Sequence, residues 1–132
     1  MKALIVYYSL AGTTKKLAER MAQLLQCDAV KIPVFGSLKI DGDKKYDIVI
    51  IGTPIWLYAP TFPVSRFLTK NRGKLPKVAF FCTYQTTIKN SFEKMAHRCG
   101  AEPIGTLKLK GPEIVAEAGD AQLKEFVEKI SR

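Results

Sequence analysis

Histidine is almost missing from this sequence and cysteine is sparse. His97 stands alone beside Arg98, and Cys27, Cys82 and Cys99 lie too far apart for a zinc knuckle or a redox dithiol. No histidine-based metal centre or triad is supported, no metal is expected, and His97 reads as a solvated helix residue. An odd number of scattered thiols gives no disulfide framework and fits a reducing compartment. Buried, inert thiols are expected, although Cys82 sits next to the loop Tyr84 to Thr87. Long apolar runs are also lacking. The opening run Ala3 to Tyr8 is too short for a membrane span or a signal-peptide core, and no small-residue cleavage site follows it, so a cytoplasmic protein with no membrane partner is expected. Acidic residues are in deficit: 21 Lys and Arg face 12 Asp and Glu, a net charge of +9. Such a charge draws anions and acidic partners. No arginine-rich run, zinc finger or aromatic RNA-binding motif accompanies it, so nucleic acid is not the expected partner.

What is present is enough for one complete core. A chain of 132 residues, 47% of them hydrophobic, fits a single domain over residues 1–132. Short apolar runs alternate with longer stretches of helical period, the pattern of a parallel sheet covered on both faces. Strands are expected at Lys2 to Tyr8, Asp28 to Ile32, Tyr46 to Thr53, Lys77 to Thr83 and Pro103 to Leu109. The runs beginning at Ala3, Ile48 and Val78 are continuously apolar and suit central strands. In the last strand Lys108 and Lys110 alternate with Leu107 and Leu109, which suits a charged edge. Helical stripes run through Leu17, Met21, Leu24 and Leu25, then Ile88, Phe92, Met95, Ala96 and Cys99, then Leu123, Phe126, Val127 and Ile130. A shorter helix is expected around Phe62, Arg66, Phe67 and Leu68, and a loop from Pro33 to Lys45. The fold class is therefore α/β, a three-layer doubly wound five-stranded parallel sheet.

Ligands of such sheets sit outside the carboxyl ends of the strands, where three loops are informative. Ser9-Leu10-Ala11-Gly12-Thr13-Thr14 runs into a helix and offers hydroxyls, a glycine and helix-start amides to a single phosphate. It has neither the further glycines of a dinucleotide fingerprint nor the Gly-Lys-Ser/Thr of a triphosphate loop. Gly52 to Pro60 carries the lone Trp56, well placed to stack on a flat ligand, and Thr83-Tyr84-Gln85-Thr86-Thr87 adds a second ring with amide and hydroxyl groups. Each loop alone also reads as an ordinary turn. Together they have the parts for a phosphate joined to a planar ring. A phosphate-accepting signalling receiver is set aside, because Tyr8-Ser9 and Gly52-Thr53 stand where its acidic residues are needed and Asp47 lies at the opposite end of its strand.

The segments Tyr8 to Thr14, Asp47 to Trp56 and Phe81 to Tyr84 resemble flavodoxins and flavodoxin-like flavoproteins of the short-chain type, and the likeness extends over nearly the whole chain. The resemblance implies a strand order of 2-1-3-4-5, FMN as cofactor, and no catalytic side chain. Matched by position, Ser9, Leu10, Ala11, Gly12, Thr13 and Thr14 would surround the phosphate. Thr53, Pro54, Ile55, Trp56, Leu57 and Tyr58 would border the isoalloxazine on one side, and Thr83, Tyr84, Gln85 and Thr86 on the other. An electron carrier is the leading expectation. The alternatives are an FMN-dependent NAD(P)H:quinone or nitroaromatic reductase, and a binding scaffold that has lost FMN.

The chain departs from the family pattern in several places. Ala11 replaces a hydroxyl residue, at a cost of about 1 kcal/mol in phosphate binding, and Lys15 stands where relatives are often acidic. Gln85-Thr86 replaces glycine or acidic residues. Leu57 and Tyr58 occupy the place of a glycine whose backbone reaches positive φ, a region other residues resist, so less stabilisation of the one-electron-reduced flavin is expected. Acidic flavodoxins dock on basic proteins, so the redox partner of this basic chain is expected to be acidic. A monomer or weak dimer is expected.

Overall fold

The computed structural model describes residues 1–38, 40, 45–115 and 118–132. Part of the loop expected from Pro33 to Lys45, at 39 and 41–44, lies outside the described residues. Eleven elements follow along the described chain: β1 (Ala3–Tyr7), α1 (Thr13–Leu25), β2 (Asp28–Lys31), β3 (Ile48–Trp56), β4 (Ala59–Pro60), α2 (Phe62–Lys70), β5 (Lys77–Tyr84), α3 (Ser91–Cys99), β6 (Thr106–Lys110), α4 (Gly111–Val115) and α5 (Asp120–Ile130). Five strands pair in parallel in the order β2-β1-β3-β5-β6, and β4 pairs antiparallel with the end of β3. Leaving out the two-residue β4, this is the expected 2-1-3-4-5 order.

The period-two geometry of a strand sends successive side chains to opposite faces, and here each face has its own core. Ala3, Ile5, Ile48, Ile50, Ala79 and Phe81 pack with Leu17, Ala18 and Met21 of α1 and with Leu123, Phe126 and Ile130 of α5. Leu4, Val6, Val49, Ile51, Val78 and Phe80 pack with Val64, Phe67 and Leu68 of α2 and with Met95, Ala96 and Cys99 of α3. Continuously apolar strands are thus buried on both sides. β6 alternates as an edge strand should, with Leu107 and Leu109 buried and Lys108 and Lys110 exposed.

Several boundaries differ from the expectation for identifiable reasons. The helical stripe of α3 includes Ile88, yet the helix starts at Ser91. Ile88 is buried in the preceding turn, where its carbonyl accepts from the Ser91 amide at 3.0 Å and Lys89 has φ 46°. α2 starts at Phe62 with Pro63 in its first turn, a position where proline lacks only an amide that would have no helical partner. The last strand begins at Thr106. Its pairing with β5 still starts earlier, since Ile104 N–H donates to Val78 O at 2.8 Å and Phe80 N–H donates to Gly105 O at 3.2 Å. No helix among the described residues is long and apolar enough to cross a membrane.

Candidate functional site

The carboxyl ends of β1, β3 and β5 open into one cavity of about 590 Å³, inside the range of roughly 300–1,000 Å³ usual for small-molecule sites. From the first loop Ser9, Leu10, Ala11, Thr13 and Thr14 line it. Pro54, Ile55, Trp56, Leu57 and Tyr58 line it from the second, and Thr83, Tyr84, Gln85 and Thr86 from the third. Three turns far apart in sequence therefore meet at one rim. Gly12 and Thr53, which the sequence placed among the binding residues, do not line the cavity. Thr87, part of the third loop but not among the residues matched to the flavin, lines it too, as does Gly111, which sequence reasoning left out of the site. Gly111 was legible in principle, because it follows the last strand at this same edge of the sheet.

The first loop is arranged around an uncapped helix start. Gly12 is the N-cap of α1 at φ 95°, and no side chain caps the helix. Ser9, which could have served as a cap, instead accepts a hydrogen bond at its Oγ from Gly12 N–H at 3.1 Å. The first intrahelical bond, Lys16 N–H to Gly12 O, spans 3.0 Å. The opening turn of a helix leaves its amides without helical partners, and these carry the positive end of the helix dipole. No acidic residue stands in that turn to neutralise it. The arrangement suits a phosphate dianion held by backbone donors.

The other two loops are tied to the first and to each other. Thr14 Oγ1 and Thr83 Oγ1 lie 2.7 Å apart across a sequence separation of 69, both buried. Two hydroxyls sharing one bond leave one proton for an acceptor in the cavity. Thr53 is fully buried: its hydroxyl donates to Pro54 O at 2.8 Å, lies 3.0 Å from Thr61 Oγ1 and accepts from Thr61 N–H at 3.1 Å. It closes the base of the second loop. Ser91 Oγ is within reach of Ile88 O at 2.6 Å and Tyr58 O at 3.2 Å, which anchors the tip of that loop to the start of α3.

The second loop is not an ordinary turn but a hairpin. β3 runs on through Pro54, Ile55 and Trp56, and Trp56 and Ile55 pair with Ala59 and Pro60. The two residues between, Leu57 and Tyr58, have φ of 50° and 64°, the signs of a type I′ hairpin turn. This corrects the expectation that they would resist positive φ. Strand pairing on both sides, together with the Ser91 bond to Tyr58, imposes the turn, and the non-glycine residues carry the strain. Leu57→Gly is therefore expected to stabilise the protein by about 1 kcal/mol, read as a higher urea midpoint; an unchanged or lower midpoint would contradict it.

Two rings frame the opening. Trp56 is 46% exposed, so it is directed to the rim and not the interior, and it meets Tyr8 edge to face at 6.0 Å between centroids. Tyr84 is half-buried, and burial is the main cause holding its phenol above the usual value, followed by the charges of Glu113 and Cys82. Cys82 lies beneath the third loop, fully buried, and its thiol is pushed up to about 12 by burial, partly offset by Lys108. It is an inert core thiol. Because its folded value is raised, the stability it contributes is complete below about pH 9 and declines as pH rises towards 12. A Cys82→Ala variant should lose that part of the alkaline decline in a denaturation series, and an unaltered profile would contradict the assignment.

Residues 4–111 match the flavodoxin domain family, and the chain belongs to it. Among curated proteins no sequence matches this chain significantly. Solved structures show the same fold. A flavoprotein from Lactobacillus acidophilus, determined in complex with FMN, is 21% identical with a TM-score of 0.72, over 95% of this chain and 97% of that one. The two-electron reduced flavodoxin of Megasphaera elsdenii is 20% identical with a TM-score of 0.71, over 96% of each chain. A flavodoxin from the Archaea is 19% identical with a TM-score of 0.66, over the full length of both.

Proposed function

We propose that this chain binds FMN in the cavity at the carboxyl ends of β1, β3 and β5 and acts as an electron carrier. The observation that carries the reading is the convergence of an uncapped, acid-free helix start and two aromatic rings on one cavity. The amides and hydroxyls of Ser9, Thr13 and Thr14, with Leu10, Ala11 and Gly12 shaping the loop, would hold the phosphate. Pro54, Ile55, Trp56, Leu57 and Tyr58, supported from below by Thr53, would border the flavin on one side. Thr83, Tyr84, Gln85 and Thr86 would border it on the other. When bound, the flavin supplies the redox chemistry; the protein sets its orientation, exposure and charge environment. The family membership and the FMN complex of the Lactobacillus relative support the assignment.

Among the described residues, no side chain lining the cavity is arranged as a nucleophile or as an acid–base pair, so the redox chemistry would rest with the flavin. The experiment is to add FMN to the purified protein and then NADH or NADPH alone. Quenched flavin fluorescence at one equivalent without steady nicotinamide oxidation supports the carrier. Sustained oxidation would identify a reductase, and absence of quenching would identify a scaffold without FMN.

A further inference from the structure

Beyond the cavity lining, the carboxyl edge of the sheet forms a rim with two unlike parts. Beside β2 and α2, Phe35 and Phe62 are 87% and 71% exposed and Val34 is also exposed. Arg66 ties Phe62 to the segment after β2: its guanidinium donates to Pro33 O at 3.1 Å and Val34 O at 2.9 Å and lies 5.5 Å from the Phe62 ring centre. Leu57, 95% exposed, tips the hairpin that leads through β4 into Phe62. Beside β5 and β6 the rim is cationic. Lys89 Nζ lies 4.4 Å from the Tyr58 ring centre, while Lys108 and Lys110 lie 6.0 and 5.9 Å from that of Tyr84. Among the described residues, Glu113 accepts from Lys110 N–H at 2.9 Å beside these lysines.

Exposed apolar side chains gathered beside a charged margin are a mark of interaction surfaces. The charge selects the occupant. A second copy of a chain with net charge +9 would bring cations against cations, whereas an acidic protein would be steered towards this rim. A nucleic acid would use the lysines and leave Leu57, Phe35 and Phe62 in water.

We propose that this rim docks an acidic protein, whose carboxylates meet Lys89, Lys108 and Lys110 while its apolar side chains seat against Leu57 and Phe62. The proposal deepens the carrier reading, on which any electron exchange at this face rests, although docking itself uses only side chains of this chain.

The test is calorimetric titration of the FMN-treated protein with an acidic plant-type [2Fe–2S] ferredoxin as probe, beside basic cytochrome c and a short DNA duplex. Raising ionic strength from about 0.01 to about 0.15 M shortens the Debye length from about 30 to about 8 Å. Ferredoxin affinity is expected to fall about tenfold or more over that range, and cytochrome c is expected not to bind. The variant Lys89→Gln/Lys108→Gln/Lys110→Gln should lose most of the salt dependence. Phe62→Ser should weaken binding and keep the salt dependence. Absence of ferredoxin binding, salt-independent binding, an unaffected triple variant, or tighter binding of the duplex overturns the proposal. A fluorescence titration with FMN on the same sample separates the two claims. A chain that takes up FMN but does not dock ferredoxin refutes only the docking face, and one that docks without taking up FMN refutes only the flavin site.

Discussion

Thr13→Asp is expected to lower FMN affinity by about 100-fold or more while slightly raising the stability of the unliganded protein. Thr13 is the first residue of α1, directly after the Gly12 N-cap, and it lines the cavity. A carboxylate there satisfies the helix dipole from within, worth roughly 0.3–1 kcal/mol. The same charge opposes the phosphate that the uncapped amides would otherwise hold. At an effective dielectric of about 20, like charges about 4 Å apart repel by roughly 4 kcal/mol, and donors given up to the new carboxylate add to the loss. Flavin fluorescence titration and urea unfolding of the same variant give the two readouts. The opposite signs discriminate between accounts: a merely structural turn would show the gain in stability with no loss of affinity.

Gly52→Ala carries the largest expected effect on the fold. A Cβ at position 52 would lie 2.0 Å from Phe81 Cζ and 2.3 Å from its Cε2, closer than any side-chain atom can approach. Gly52 of β3 stands in register with Tyr7 of β1 and Phe81 of β5, and the Phe81 ring, fully buried, covers the space that a side chain at 52 would fill. The ring has nowhere to go, because it is packed into the core under α1 and α5. A loss of about 3 kcal/mol is expected, the upper part of the usual overpacking range. Urea unfolding measures it, and the double variant Gly52→Ala/Phe81→Leu should recover part of the loss. A change below about 0.5 kcal/mol would show that the strands separate easily at this point. Two residues beyond Gly52 the chain enters the cavity at Pro54, so displacement of the ring should also weaken ligand binding.

The strands and their faces were legible because burial on both sides leaves an unbroken apolar run, as at Ile48 to Ile51, while an edge leaves an alternation, as at Leu107 to Lys110. The convergence of the three loops followed from the fold class, since parallel strands deliver all their carboxyl ends to one side. What the residues did not disclose was the hairpin of β3 and β4. Pro54 and Pro60 read as breakers, and Leu57-Tyr58 carries none of the Asn or Gly that mark a type I′ turn. That turn is imposed by the strands beside it and by Ser91, 33 residues away. The roles of Gly12 and Thr53 were hidden for a related reason. Both belong to the loops that form the site, yet one sets the backbone of the helix start and the other closes the hairpin from beneath. The helix α4 was missed because Gly111-Pro112 reads as a break, although proline is tolerated in the first turn of a helix.

The central claim is that one end of the cavity grips a phosphoryl group and the other holds a flat ring. Comparing FMN with riboflavin in parallel fluorescence titrations tests it most directly, since the two ligands share the ring and differ in the phosphate. Several charge-assisted hydrogen bonds at roughly 1.5–3 kcal/mol each should make FMN bind at least about 100-fold more tightly. Equal affinities, or no quenching of either ligand, would contradict it.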